Sequence, residues 1–195
     1  IMFLTICLGA MYLINNIADS TLAYRLRRCL MFCFCCFLTM FLIVITQLMT
    51  MDGFAVNADG NIYRETHKYM HNLLQMPIVL IIFLTGVLLL LTSITISLIK
   101  SSFRRGIWFG GLGSILSVMA VFMIAGYNNT SYYPSTADMQ SSLTIANSCS
   151  SEFTLRVMAI VSLIIPFVVA YIAYFWHKMD KQSLTSEELN RSEKY

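Results

Sequence analysis

Four stretches of this 195-residue chain run for about 20 residues or more without a single Asp, Glu, Lys or Arg: Cys29–Met51, Met76–Ile99, Gly106–Tyr127 and Val157–Trp176. At a rise of about 1.5 Å per residue, each is long enough as a helix to cross a hydrocarbon core about 30 Å thick. Water is absent there, so backbone N–H and C=O groups must bond within the segment, and the runs are predicted to be helices. A chain this short cannot bury four such runs in a water-soluble core. Charged residues make up 12% and hydrophobic residues 57% of the chain, against roughly a quarter charged in soluble domains. The expected fold is all-α, a polytopic transmembrane helix bundle.

Residues 1–14 are apolar but cover only part of a span, and no basic segment precedes them. They read as the end of a helix rather than as a signal peptide. The basic residues set the orientation. Arg25, Arg27, Arg28, Lys100, Arg104, Arg105, Lys178, Lys181, Arg191 and Lys194 fall on one side of the four spans, and only Arg64, Lys68 and Arg156 on the other. The first side is assigned to the cytoplasm, with the C-terminus. The formal net charge of +3 is small and dispersed, which argues against a nucleic-acid partner.

The connections are uneven. Asn15–Ser20 reads as a polar turn. Between Asp52 and Gln75, Asn57–Asn61 reads as a turn, since Asn, Asp and Gly tolerate positive φ. After it, Ile62, Tyr63, Thr66, Tyr69, Met70, Leu73 and Leu74 recur at helical spacing, which predicts an interfacial amphipathic helix near 62–74. Pro77 opens the next span, where its missing N–H is harmless. Lys100–Arg105 is a tight turn that makes its flanking spans antiparallel neighbours. Residues 128–156 form an extracytoplasmic loop, 157–176 the last span, and 177–195 a cytoplasmic tail in which Thr185 and Glu188 could cap a helical turn.

Chemistry-bearing residues are sparse. His67 and His71 are four apart and would share a helix face, but Glu65 is placed on another face and no third ligand is near, so no metal site is assigned. No histidine lies inside a full span to serve as a haem ligand, and the thirteen methionines are read as core filler. Cys29, Cys33 and Cys36 form a helix stripe read as small apolar packing, and Cys149 stands alone in the outer loop. Gln47 is expected to bond a neighbouring helix, and Asp52 to solvate a helix end. Pro166 leaves the Ser162 carbonyl without its N–H partner and should kink the last helix. No full span contains a carboxylate. Gly106, Gly110, Gly113 and Ser117 recur at spacings of four, three and four, a seam of small residues that lets helices approach closely. Gly86, Ser93 and Ser97 make a weaker stripe one span earlier. These residues are assigned to helix packing, and no catalytic, cofactor-binding or metal residue is assigned.

Residues Tyr127 to Asp180 carry the most specific pattern. A loop with Pro134-Ser135 leads to Ser142-Leu143-Thr144-Ile145, then Asn147, the small pair Ser150-Ser151, and Thr154-Leu155 before an apolar helix that contains Pro166. That helix exits through Tyr171, Tyr174, Trp176 and Lys178. The order resembles the last outer loop and last helix of subunit II of the cytochrome bd-type quinol oxidases. Leu4–Ile14 before an Arg-rich turn, the Asp52-Gly53 exit and the Asn72–Pro77 lead-in follow the family's order too. The resemblance implies the C-terminal half of that subunit: the end of a fourth helix and helices five to eight. It implies a heterodimer with subunit I in a bacterial cytoplasmic (inner) membrane, where quinol is oxidised and dioxygen reduced to water. Haem b and haem d would sit in subunit I, while subunit II supports assembly and can hold a structural quinone or lipid. The family's acidic proton-path residue belongs to the N-terminal half of the subunit, so no catalytic residue is carried over. The alternative is half of a secondary membrane transporter, which Pro166 and the small-residue stripes permit and the missing intramembrane charge opposes.

The charge-derived orientation is testable. A membrane-impermeant maleimide should label Cys149 in intact spheroplasts while a tag after Tyr195 stays protected. A protected Cys149 with a labelled tail would invert the topology.

Overall fold

The computed structural model describes residues 1–17, 19–100, 103 and 105–179. Arg104 and residues 180–195, including Lys181, Arg191, Lys194 and the Thr185–Glu188 cap, lie outside the described residues. Helix α1 spans Met2–Asn16 and α2 Ser20–Thr50. Strands β1 (Gly53–Val56) and β2 (Ile62–Glu65) precede the short α3 (Lys68–Gln75). Then come α4 (Pro77–Ile99) and α5 (Gly106–Gly126), strands β3 (Ser131–Tyr133) and β4 (Leu143–Thr144), and α6 (Glu152–Ser162) and α7 (Ile165–Met179). Among the described residues, four helical segments are long and apolar enough to cross a membrane: α2, α4, α5, and α6–α7 taken together.

Helix α2 starts earlier than the apolar run does. The Asp19 carboxylate accepts from the N–H groups of Thr21 (2.7 Å) and Leu22 (3.4 Å), closing donors that a helix start leaves open. Arg25, Arg27 and Arg28 are thus helical rather than a lead-in. With 31 residues the helix is about 46 Å long, more than the hydrocarbon core requires, so its basic first turns can extend past it. Arg27 Nε donates to the Ser97 carbonyl at 3.2 Å and ties α2 to the end of α4.

Two apolar clusters hold the bundle. Toward the basic end, Cys7, Met11 and Ile14 of α1 meet Leu30, Cys33 and Phe37 of α2 and Leu90 and Ile94 of α4. Toward the loop end, Tyr69 of α3 joins Val79 and Phe83 of α4 and Ala120 and Ile124 of α5. Helices α6 and α7 bury none of their residues against the rest of the chain. Between them, Leu163 and Ile164 donate back only three residues, to Ile160 (3.1 Å) and Val161 (3.0 Å). The helix is interrupted just before Pro166, which cannot donate to the Ser162 carbonyl.

The first long connection differs from the helix expected near 62–74. Ile62–Glu65 is a strand, paired antiparallel with β1 from Gly53↔Glu65 to Val56↔Ile62. The helix is confined to Lys68–Gln75. The apolar residues of 62–65 did follow a helical period. Over four residues, however, that period is hard to tell from a strand's, and the Asn57–Asn61 turn offers a ready hairpin. In that turn Gly60 has φ 82°, and Asn57 N–H donates to the Asn61 carbonyl at 3.0 Å. The two long connections join: Ala55 bridges Thr130, and Val56 N–H donates to the Asn129 carbonyl at 2.8 Å. The fold is therefore a helix bundle capped at one end by two small hairpins and α3.

Candidate functional site

The glycine stripe of α5 faces α4. Gly106, Gly110, Gly113 and Ser117 are all buried, as are Gly86, Ser93 and Ser97 of α4. A methyl group at Gly113 would lie 2.6 Å from the Leu90 backbone nitrogen and 2.8 Å from the Gly86 carbonyl oxygen. One at Gly86 would lie 2.7 Å from the Ser117 nitrogen. These contacts are backbone on both sides, so neither can yield by rotating a side chain. At Gly106 the obstacle is instead Ser97 Oγ, and at Gly110 it is Met11 Cε, at 2.7 Å. Helix α1 thus reaches into the seam through one flexible methionine, a residue suited to irregular gaps. Gly111, which is outside the stripe, has nothing within 4 Å of its would-be Cβ.

The serines of the seam are hydrogen-bonded to backbone. Ser93 Oγ donates to the Gly106 carbonyl (2.5 Å), Ser97 to Ser93 (2.8 Å) and Ser117 to Gly113 (2.8 Å). The first of these crosses from α4 to α5 and closes the seam at its basic end.

At the opposite end the cap is built from amides. Asn72 is fully buried. Its Nδ2 donates to the Ile124 carbonyl (2.9 Å) and Thr130 Oγ1 (2.7 Å), and its Oδ1 accepts from Asn128 (3.1 Å). Gln140 bonds both backbone groups of Ile62: Nε2 donates to the carbonyl at 2.8 Å and Oε1 accepts from N–H at 3.0 Å. It acts as a strand residue would on the edge of β2. Asn147 Oδ1 accepts from Thr144 N–H (2.7 Å), while its Nδ2 donates to the Ser142 carbonyl (3.0 Å). Ser151 caps α6 by accepting from Thr154 N–H. Ser142, Thr144 and Asn147 therefore close the loop on itself, and Ser151 starts the helix that follows.

Two carboxylates of the cap are paired. Asp52 accepts from Arg64 at 2.8 Å across the hairpin, rather than merely solvating the end of α2. Glu65 lies between Lys68 Nζ and His71 Nδ1, each at 3.0 Å. The His71 contact, with help from Lys68, holds the Glu65 carboxyl below its ordinary value despite partial burial. Burial alone pushes the Tyr69 phenol up. Sequence spacing had put Glu65 on a different face from His71; the strand ending at Glu65 turns it back onto α3. His67 also departs from the expected shared face. It adopts a left-handed conformation, φ 52°, at the start of α3, and its Nδ1 lies 3.3 Å from the Met49 carbonyl. Among the described residues no group of three His, Cys, Asp or Glu is close enough to hold a metal ion. Cys33 is buried, with its sulfur 4.0 Å from that of Cys29. Gln47 is exposed on the surface of α2 rather than turned toward a neighbouring helix of the chain.

In the sequence Asn72 was marked only as the start of the lead-in to Pro77, with no bonding role, and Gln140 not at all. A single buried amide on the inward stripe of α3, beside Tyr69, is the signal that could have marked Asn72. Nothing local marks Gln140, whose partner lies 78 residues away.

The family model for cytochrome bd terminal oxidase subunit II matches residues 1–179. No curated protein matches the chain.

The seam distinguishes two glycines two positions apart in α5. Gly113→Ala should lower the stability of the detergent-solubilised protein by about 1–3 kcal/mol, because backbone must move to admit the methyl. Gly111→Ala should be neutral or stabilising by up to about 1 kcal/mol, the gain in helix propensity. Thermal melts of the two variants check this, and equal melts would place Gly113 outside any close contact.

Proposed function

The chain belongs to the cytochrome bd terminal oxidase subunit II family, a membrane subunit of a respiratory oxidase, and we propose that its part in the complex is to assemble and stabilise the haem-bearing subunit I. In this reading the two subunits form a heterodimer in the bacterial inner membrane, with the C-terminus of this chain in the cytoplasm. The complex oxidises quinol and reduces dioxygen to water. Haem b, haem d and the catalytic groups belong to subunit I.

One observation carries the reading. The buried hydroxyls of the spans, on Ser93, Ser97, Ser114 and Ser117, all donate to backbone carbonyls of α4 or α5. Ser93 joins α4 to α5, while the other three fold back onto carbonyls of their own helix, so the small side chains let the two backbones pack closely, which suits a supporting subunit. The histidines agree with it: His67 and His71 belong to the outer cap, and His177 lies in the last turn of α7. Family membership also favours the oxidase over the transporter alternative. The outward apolar surface of α2, α6 and α7 suits contact with a second membrane subunit and with lipid or quinone.

Haem content tests the proposal. Replacing His67, His71 and His177 together by Ala should leave the haem b and haem d spectra of the assembled oxidase unchanged within assay scatter. A triple variant that assembles normally but loses one haem would make this chain a source of an axial ligand.

A further inference from the structure

At the basic end of the bundle, the foot of α7 stands off from α1 and α5 and leaves a cavity of about 580 Å³ between them. Its polar wall consists of Arg105, at the start of α5, with His177 of α7 and Asn15 of α1. Its apolar wall comes from Val169 and Ile172 of α7, and Trp108 and Trp176 stand at its sides. Trp176 also touches α1, its ring centroid 6.0 Å from that of Tyr12, so the foot of α7 is anchored while the wall above it stays open.

Arg105 is exposed, and among the described residues it takes part in none of the ion pairs. The one acidic residue described at this end, Asp19, is engaged in capping α2. Nothing described in the chain therefore neutralises the guanidinium. A free anion in water would not need an apolar wall. A ligand that is anionic at one end and hydrocarbon at the other satisfies both halves of the cavity. Tryptophans flank membrane interfaces at headgroup depth, and a guanidinium offers a fork of donors that matches a phosphate. Basic clefts between membrane helices bind anionic headgroups by this chemistry.

We infer that this cleft binds an anionic phospholipid of the adjoining leaflet, its phosphodiester on Arg105, His177 and Asn15 and an acyl chain along Val169 and Ile172. The lipid takes the place of a helix contact, joining an otherwise uncovered α7 to the bundle. The site depends only on the chain being a membrane protein, not on its supporting role toward subunit I.

The test uses the purified membrane complex that contains this chain. Delipidated complex is offered phosphatidylglycerol or phosphatidylcholine in detergent, and bound phospholipid is counted by native mass spectrometry. Wild type should retain phosphatidylglycerol in preference to phosphatidylcholine. Arg105→Gln should weaken that retention about tenfold, the scale of one charge-assisted hydrogen bond. Lys178→Gln should leave it unchanged, because that ammonium lies over the Tyr174 ring, 4.8 Å from its centroid. A photo-crosslinking residue at Ile172 should capture lipid. Equal retention of the two lipids, or retention unaltered in Arg105→Gln, would overturn the proposal. Displacement of the lipid by millimolar inorganic phosphate would reduce the site to an anion site without an acyl wall, and capture of a protein at Ile172 would make the cleft a subunit contact. If Arg105→Gln does not assemble, the wild-type comparison of the two lipids decides. The lipid count is independent of haem content, so its failure and that of the oxidase role are separable.

Discussion

The approach of α4 to α5 at Gly86 and Gly113 is the contact on which the rest of the structure depends. In lipid no hydrophobic force drives apolar helices together, since hydrocarbon tails are as apolar as leucine. What remains is close van der Waals contact and hydrogen bonding between helices. Both need backbone to meet backbone, and a Cβ at Gly113 would come within 2.8 Å of the Gly86 carbonyl. Once the two helices touch, Ser93 can reach the Gly106 carbonyl, and Met11 can fill the space that Gly110 leaves. Helix α2 then covers α1 through Leu30, Cys33 and Phe37.

The loop end obeys a different constraint. There the chain leaves the hydrocarbon and forms two hairpins, too small to be stable alone. Their open backbone groups are closed by side-chain amides and hydroxyls. Asn72 joins α3, α5 and the start of β3, while Gln140 joins the second loop to the first. A buried amide with all its partners present is stable, and one stripped of a partner is costly. The loop pattern that gives the chain its family resemblance is thus in good part a pattern of loop closure.

Much of this was legible in the sequence because lipid imposes few solutions. Length and the absence of charge sufficed for the spans. The spacing of Gly106, Gly110, Gly113 and Ser117 pointed to one helix face, the face that meets α4. Pro166 marked the break between α6 and α7 by chemistry alone. The hairpin at 62–65 was not legible, because four residues do not separate a helical period from a strand's. Nor was the pairing of Glu65 with His71, which depends on that hairpin turning back. Gln140 and Ile62 illustrate the general limit: a contact across 78 residues leaves no local trace.

A double-mutant cycle at Gly106 and Ser97 tests the seam most directly, because there the obstacle to a methyl group is a removable side-chain oxygen rather than backbone. Gly106→Ala should destabilise the solubilised protein, and the same substitution in a Ser97→Ala background should cost less. The expected coupling is about 0.5–3 kcal/mol, the range for residues in contact. Strictly additive effects would contradict a close approach of α4 to α5 at this point, and with it the account of how the bundle is held together.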